Sequence, residues 1–471
     1  MKTTLRSAGF VILGIGLLFG GCARKKSTSW ESIKNPETVA QLKSFVAEKE
    51  AQANTAAKTD GQAMPPEIKT FFAAAEKGDW LAVSNTFLIL GRDIGHSDVA
   101  RKPDYSYVHG TRWEAVKETW GTFYYFGAGD EKYSAAYGND IITSIPPGSI
   151  YFGGTDPGRF LITGMEKSQV NADPFFLLTQ NALADGTYLD YLHSMYGDKI
   201  YIPTAGDAAK CFQDYTEDVT RRQQNHQLKP GENVQTDPAS GQVQVSGQVA
   251  VMEINGLLAK IIFDKNTNQE FYVEESFPLD WMYPHLEPHG LIMKINRQPL
   301  TEMSDEIVQR DRDHWTKYIS PMIGDWLNGD TSVKEVAAFA EKVYAKKDFS
   351  GFKGDRRYIQ SSDSQKMFSK ERSSIAGLYA WRAQHATDAA EKKRMNDAAD
   401  FAFRQAIALC PYSPEAVIRY VNLLFGEQRF SDALVVAQTA AKMPEMKGSN
   451  GQQIRGLVDQ IKNIQRQTQA K

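Results

Sequence analysis

The chain has 471 residues, a formal net charge of −3 and three cysteines. The length allows roughly two to four domains, and the balanced charge, with no long basic block, argues against nucleic acid as a partner. Cys22, Cys211 and Cys410 offer no zinc spacing; the last two are either one disulfide or two buried free thiols.

The chain opens with Lys2 and Arg6, an apolar stretch from Ala8 to Phe19, and then Gly20-Gly21-Cys22. A charged start, a short apolar core and small residues before a cleavage point form a secretory leader. A cysteine just after them is the lipobox pattern of bacterial lipoproteins, although Phe19 stands where Leu is preferred. On this reading residues 1–21 are removed and Cys22 is lipidated, anchoring the chain to a membrane. An ordinary secretory signal with a chance cysteine is the alternative. Ala23, rather than Asp, after the cysteine points to the outer membrane, facing the periplasm. No later apolar run approaches the roughly 18 residues of a membrane span.

Residues 22–64 read as a tether and a charged helix over Pro36 to Ala57. Residues 65–145 read as helical. Phe71, Phe72, Ala75, Val83 and Phe87 fall at helical spacing around a break at Lys77-Gly78-Asp79, and Thr111 to Phe126 is a further amphipathic helix. The character changes at Pro146-Pro147-Gly148. A strand over Ser149 to Phe152, a helix over Arg159 to Gln169, a strand over Pro174 to Gln180, a helix over Thr187 to Gly197 and a strand over Lys199 to Pro203 alternate as in a parallel sheet with crossover helices. Residues 206–228 read as a polar helix and 229–247 as a mobile loop or linker. The β-branched run from Gln248 reads as a hairpin turning at Lys265 to Asn268. Leu291 to Ile295 is strand-like, and from Ser304 the chain reads as helical.

The last 99 residues, 373–471, carry a period. Ala399, Phe403 and Ala406, shifted by 34, land on Ala433, Ala437 and Ala440. Thirty-four residues is the tetratricopeptide period, whose helices pack through small residues at such points. A generic helical hairpin is the plainer reading. Ile454, Leu457, Ile461 and Ile464 suit a closing helix. Repeats of this kind bind protein partners more than they do chemistry.

The stretch IYFGGTDPGRF, residues 150–160, has the outline of a phosphate-binding loop. A ligand site here would use Thr155, Asp156 and Arg159 from the first strand end, with Thr179, Gln180, Asn181 and Asp185 from the second, at the carboxyl edge of the sheet. Against it, neither G-x-G-x-x-G nor G-K-[ST] is present, and Pro157 removes a backbone donor. Asp156 as a helix cap with Pro157 in the first turn explains the same residues as a tight turn, and Asn181 and Asp185 can likewise hold a βα turn. His285 and His289 flank Pro288, which breaks the helix that a metal pair at that spacing needs. No catalytic residue, metal or cofactor is expected.

SIYFGGTDPGRF, NADPFFLLTQNALADGTYLDYL and PHGLIMKIN resemble the soluble part of large bacterial membrane proteins related to protein O-mannosyltransferases. In those proteins a periplasmic α/β segment, often with tetratricopeptide repeats, follows a many-helix membrane region. The resemblance covers Gly148 to Pro203, Asn255 to Asn296 and the repeats. The family's glycosyl-transfer chemistry is associated with acidic residues in the membrane region, which this sequence does not contain, so no catalytic residue carries over. The resemblance implies an accessory or acceptor-recognition role, with Asp156 and Asn181 the residues in matching context.

The expectation is therefore an α/β plus all-α protein. A small parallel-sheet domain with a β-hairpin, residues 146–300, is flanked by helices. A helical connector, 301–372, leads to tetratricopeptide-like repeats. The function expected is that of a lipid-anchored cell-envelope protein acting through protein–protein interaction, as an accessory to envelope glycosylation or assembly. The alternative is a sugar- or nucleotide-binding module, or a transferase-type enzyme, using the 153–160 and 179–185 loops.

Overall fold

The computed structural model describes residues 33–469 apart from 60, 62, 94–110, 155–156, 230, 237–242 and 275–278. The leader, Cys22, Thr155 and Asp156 lie outside the described residues.

Helix α1, Pro36–Thr59, buries a single stripe of Leu42, Phe45, Val46, Lys49, Ala53 and Ala57. Three- and four-residue spacing puts these side chains on one face. The turn between α2, Pro66–Glu76, and α3, Trp80–Asp93, is made by Gly78 at φ +67°. Its N–H bonds Ala75 O at 2.9 Å and the next N–H bonds Ala74 O at 3.0 Å. The second helix is then capped by Asp79 Oδ1, which accepts from Ala82 N. A left-handed glycine closing one helix and an aspartate opening the next is the local chemistry expected of such a break. Helices α4, Thr111–Ala128, and α5, Glu131–Ser144, follow.

Strand β1, Ile150–Gly153, leads through a π-helical turn, Pro157–Leu161, and the single turn α6, Ile162–Met165, to β2, Phe176–Thr179. All four residues of each strand are buried. The strands pair in parallel from Ile150 opposite Phe176 to Gly153 opposite Thr179, and burial on both faces is why each run is uniformly apolar. A 3-10 turn, Gln180–Ala182, then leads to α7, Gly186–Tyr196, and α8, Ala205–Gln224.

Three expectations fail here, each for a physical reason. Lys199 to Pro203 is not a strand: the N–H and C=O of Tyr201 bond the side chain of Asn266 at 2.7 and 3.0 Å instead of a neighbouring strand. Residues 229–247 are not a plain linker, since β3, Asn233–Thr236, and β4, Val243–Ser246, form an antiparallel ribbon. The hairpin read from Gln248 onward is the helix α9, Gln248–Lys265, followed by β5, Phe271–Val273. Ala250, Ile254, Leu258, Ala259 and Ile262 recur at helical spacing and are buried, and burial of that stripe outweighs the strand preference of β-branched residues.

Strands β6, Leu286–His289, and β7, Ile292–Ile295, form the antiparallel hairpin of this region. The sheet of β1, β2, β5, β6 and β7, in the order β2-β1-β5-β7-β6, is thus mixed rather than parallel, and most of the chain is helical. Helices α10, Asp305–Ile323, α11, Val333–Ala340, α12, Arg356–Gln360, α13, Ser362–His385, α14, Ala389–Leu409, α15, Pro414–Gly426, α16, Phe430–Ala441, and α17, Gly448–Gln469, complete it. Among the described residues no helix is long and apolar enough to cross a membrane.

The chain divides into two compact units. The first comprises residues up to Gly127 together with Ile145–Phe271, and the second Ala128–Ser144 with the chain from Tyr272. In the second, Arg372 is buried and bonds both carboxylate oxygens of Asp311 at 2.9 and 2.8 Å, with Tyr379 donating to the same carboxylate. Both bonds come from Arg372 Nη1, and Nε donates to Gln405 Oε1 at 2.7 Å, so the buried charges are paired and hydrogen-bonded.

Candidate functional site

Of the residues singled out beside the two loops, Arg159, Asn181 and Asp185 are among the described ones, and each has a different setting. Arg159 turns inward: its Nη2 donates to Glu114 Oε2 at 3.1 Å and lies 3.6 Å from Glu118 Oε1. Its guanidinium sits over the rings of Phe160 and Tyr188, at 4.8 and 5.7 Å from their centroids. The expected role of presenting a positive charge to a phosphate or carboxylate ligand is therefore replaced by pairing with two carboxylates of the chain itself. Asn181 is exposed. Asp185 caps α7, accepting from Thr187 N at 2.9 Å and from Thr187 Oγ1 at 2.8 Å. The described part of the glycine-rich stretch is a close-packed turn. Tyr151 donates its hydroxyl to Gly158 O at 3.0 Å, and a Cβ on Gly153 would meet that same oxygen at 3.1 Å.

Behind the turn lies a buried charged cluster that single-segment reading missed. Lys49 of α1 has no exposed side-chain surface. Its Nζ donates to Glu118 Oε2 at 2.6 Å, to the Tyr191 hydroxyl at 2.9 Å and to Gln169 Oε1. Tyr191 in turn donates to Glu118 at 2.6 Å. Burial alone would raise the Glu118 carboxyl. Lys49 and Arg159, with the hydrogen bonds from Lys49 and Tyr191, outweigh burial and hold it below the usual carboxylate range. Glu166, equally buried, goes the other way. Burial lifts it, Lys49 opposes, and the carboxylates of Glu48, Glu118 and Asp173 add to the rise, leaving it well above the usual range.

At the carboxyl end of β2 the polar groups are of a different kind. Thr179 N donates to the Tyr188 hydroxyl at 2.6 Å. The next residue, Gln180, is 1% exposed, and neither its Oε1 nor its Nε2 has a partner among the described residues. Asn255 of α9, 0% exposed, accepts from Ala184 N at 2.7 Å, while its Nδ2 has no partner among the described residues. Leaving a buried polar group unpaired costs about 1–3 kcal/mol, so folded chains retain few such groups. Gln180 carries a weak sequence signal, a carboxamide directly after a buried strand. Asn255 carried none, because its segment reads as β-structure.

His285 and His289 each face a backbone carbonyl: Nδ1 of His285 lies 2.7 Å from Asn296 O, and Nε2 of His289 lies 2.8 Å from Ser144 O. Among the described residues no group of three or more His, Cys, Asp or Glu side chains is placed to hold a metal. Cys211 and Cys410 are buried free thiols, not a disulfide. Burial pushes their thiols up, to about 11 and about 12, away from nucleophilic use near neutrality. No family model, curated protein or solved structure matches this chain.

Proposed function

We propose that this is a lipid-anchored cell-envelope protein, held through Cys22 at the outer membrane and facing the periplasm, that works by binding other proteins through a C-terminal stack of tetratricopeptide-like helical hairpins. It serves envelope glycosylation or assembly as an accessory rather than as an enzyme. The observation that supports the reading is the burial of both members of each pair related by 34 residues. Ala399, Phe403 and Ala406 of α14, and Ala433, Ala437 and Ala440 of α16, are at most 1% exposed. Small residues at one period, packed at the second helix of successive hairpins, are how such repeats stack.

The test has two arms. Acyl labelling in a Gram-negative host reports the anchor; no label on wild type, or equal label on Cys22→Ser, removes it. A photo-crosslinker at the exposed Asn422 of α15, compared with one at the exposed Lys69 of α2, reports the repeats. The reading requires a discrete envelope protein captured from position 422 alone. Capture from neither position, or from both alike, counts against it.

A further inference from the structure

Among the described residues the Gln180 amide and Asn255 Nδ2 have no hydrogen-bond partner, and Gln180 directly follows the end of β2, where open α/β sheets take ligands. Strands β1 and β2 run in parallel and end together at Gly153 and Thr179, and ligands of such sheets bind outside the carboxyl ends of the strands. We propose that Gln180 and Asn255 form the recognition end of a site for a neutral, hydroxyl-rich small molecule of the monosaccharide class.

The ligand class follows from what the side chains offer and what they lack. A carboxamide presents one acceptor and one two-proton donor, and each hydroxyl of a sugar is at once donor and acceptor. Neighbouring hydroxyls therefore answer both ends of Gln180. Asn255 adds a donor whose direction is set, because the other end of its amide is held by Ala184 N at 2.7 Å. Arg159, the first cationic residue after β1, spends its guanidinium on Glu114 and Glu118, which disfavours phosphate and carboxylate ligands. Asn181, next to Gln180 in the same 3-10 turn, is exposed. The turn thus has one residue at the surface and one in the interior. A few fixed polar groups in apolar surroundings are the usual make-up of a small-molecule site. They reject ligands that leave them unpaired.

The test is thermal unfolding of the full-length protein in a sugar-free detergent, with glucose, mannose or galactose, and with inorganic phosphate as the charged comparison. Sugars raise unfolding temperatures generally by exclusion from protein surfaces, so the same series is run on Gln180→Met. The proposal expects a saturable rise for at least one sugar in wild type, absent in Gln180→Met, and no rise with phosphate. It also expects Gln180→Met without sugar to unfold no earlier than wild type, because an unpaired amide has been replaced by an apolar chain of similar volume. Equal sugar shifts in both proteins, no shift in wild type, a response to phosphate alone, or early unfolding of sugar-free Gln180→Met overturns it. Should Gln180→Met not accumulate, Gln180→Leu removes both donor and acceptor with a smaller apolar side chain, and the same comparison decides.

Discussion

Lys49 and Glu118, from helices 69 residues apart in sequence, meet at 2.6 Å with neither side chain exposed. A pair taken wholly out of water persists only when the remaining polar atoms are also satisfied. Here Tyr191 and Gln169 complete Lys49, while Tyr191 and Arg159 complete Glu118. Removing one partner leaves a buried charge behind. Lys49→Met is expected to cost about 3–5 kcal/mol in urea unfolding. Lys49→Met with Glu118→Gln should recover a substantial part of it, since no uncompensated charge remains. A double variant as unstable as the sum of the singles would show that the two residues do not act as a pair.

Glu118 and Glu166 also give the first unit a pH dependence with two opposite contributions. A carboxyl held below its unfolded value contributes stability that is complete above that value, near ~4.3 for Glu, and lost as pH falls through the lower folded value. Glu118 is of this kind. A carboxyl held above its unfolded value contributes stability that is complete below the unfolded value and lost as pH rises through the folded one. Glu166 is of this kind. Glu118→Gln should therefore flatten the loss of stability on the acid side, below about pH 4, and Glu166→Gln the decline on the alkaline side of about pH 4. Urea midpoints measured across pH separate the two. A Glu166→Gln protein that declines with rising pH as steeply as wild type would mean that Glu166 is ionised in the fold.

Two glycines show why the cluster can form where it does. A Cβ on Gly121 of α4 would lie 2.4 Å from the Phe160 ring, and a Cβ on Gly164 of α6 would lie 2.4 Å from Thr122 Cγ2. Thr122 also donates to Phe160 O at 2.8 Å. The two segments touch through hydrogen side chains, and that approach lets Arg159 reach Glu114 and Glu118. On an open helix face Gly→Ala stabilises by up to ~1 kcal/mol. Here the sign reverses: overpacking makes Gly121→Ala and Gly164→Ala destabilising by about 1–3 kcal/mol. A neutral or stabilising result in denaturant unfolding would place the helices further apart than described.

These examples mark the boundary of what the sequence made legible. The α2–α3 turn, β1, β2 and α7 were readable because their determinants are local: Gly78 before Asp79, uniformly apolar runs, and a cap two residues from the group it holds. The inward turn of Arg159 was not, because Glu114 stands 45 residues away. Nor was the loss of the third expected strand, because the acceptor and donor that replace its neighbour belong to Asn266, 65 residues on. The α9 segment misled for a different reason. Its β-branched residues satisfy a strand preference locally and a helical stripe globally, and burial decides between them. Which side chains of the candidate loops hold unused hydrogen bonds depends on packing that no short window contains.

Asp185 shows how local a functional-looking residue can be. Its carboxylate accepts from Thr187 N and Thr187 Oγ1, at 2.9 and 2.8 Å, in the first turn of α7, where a negative charge also suits the helix dipole. Capping alone requires an acceptor at that position, not a carboxylate. Asp185→Ala should therefore cost about 0.5–2 kcal/mol, and Asp185→Ser or Asp185→Asn should restore nearly all of it. Neither change should alter the difference in sugar response between wild type and Gln180→Met, because Gln180 and Asn255 keep their places. Urea unfolding of the three variants, each repeated with sugar, tests both statements. If Asp185→Ser is as unstable as Asp185→Ala, the carboxylate has work beyond the cap. If Asp185→Asn abolishes the sugar response while restoring stability, Asp185 belongs to the site.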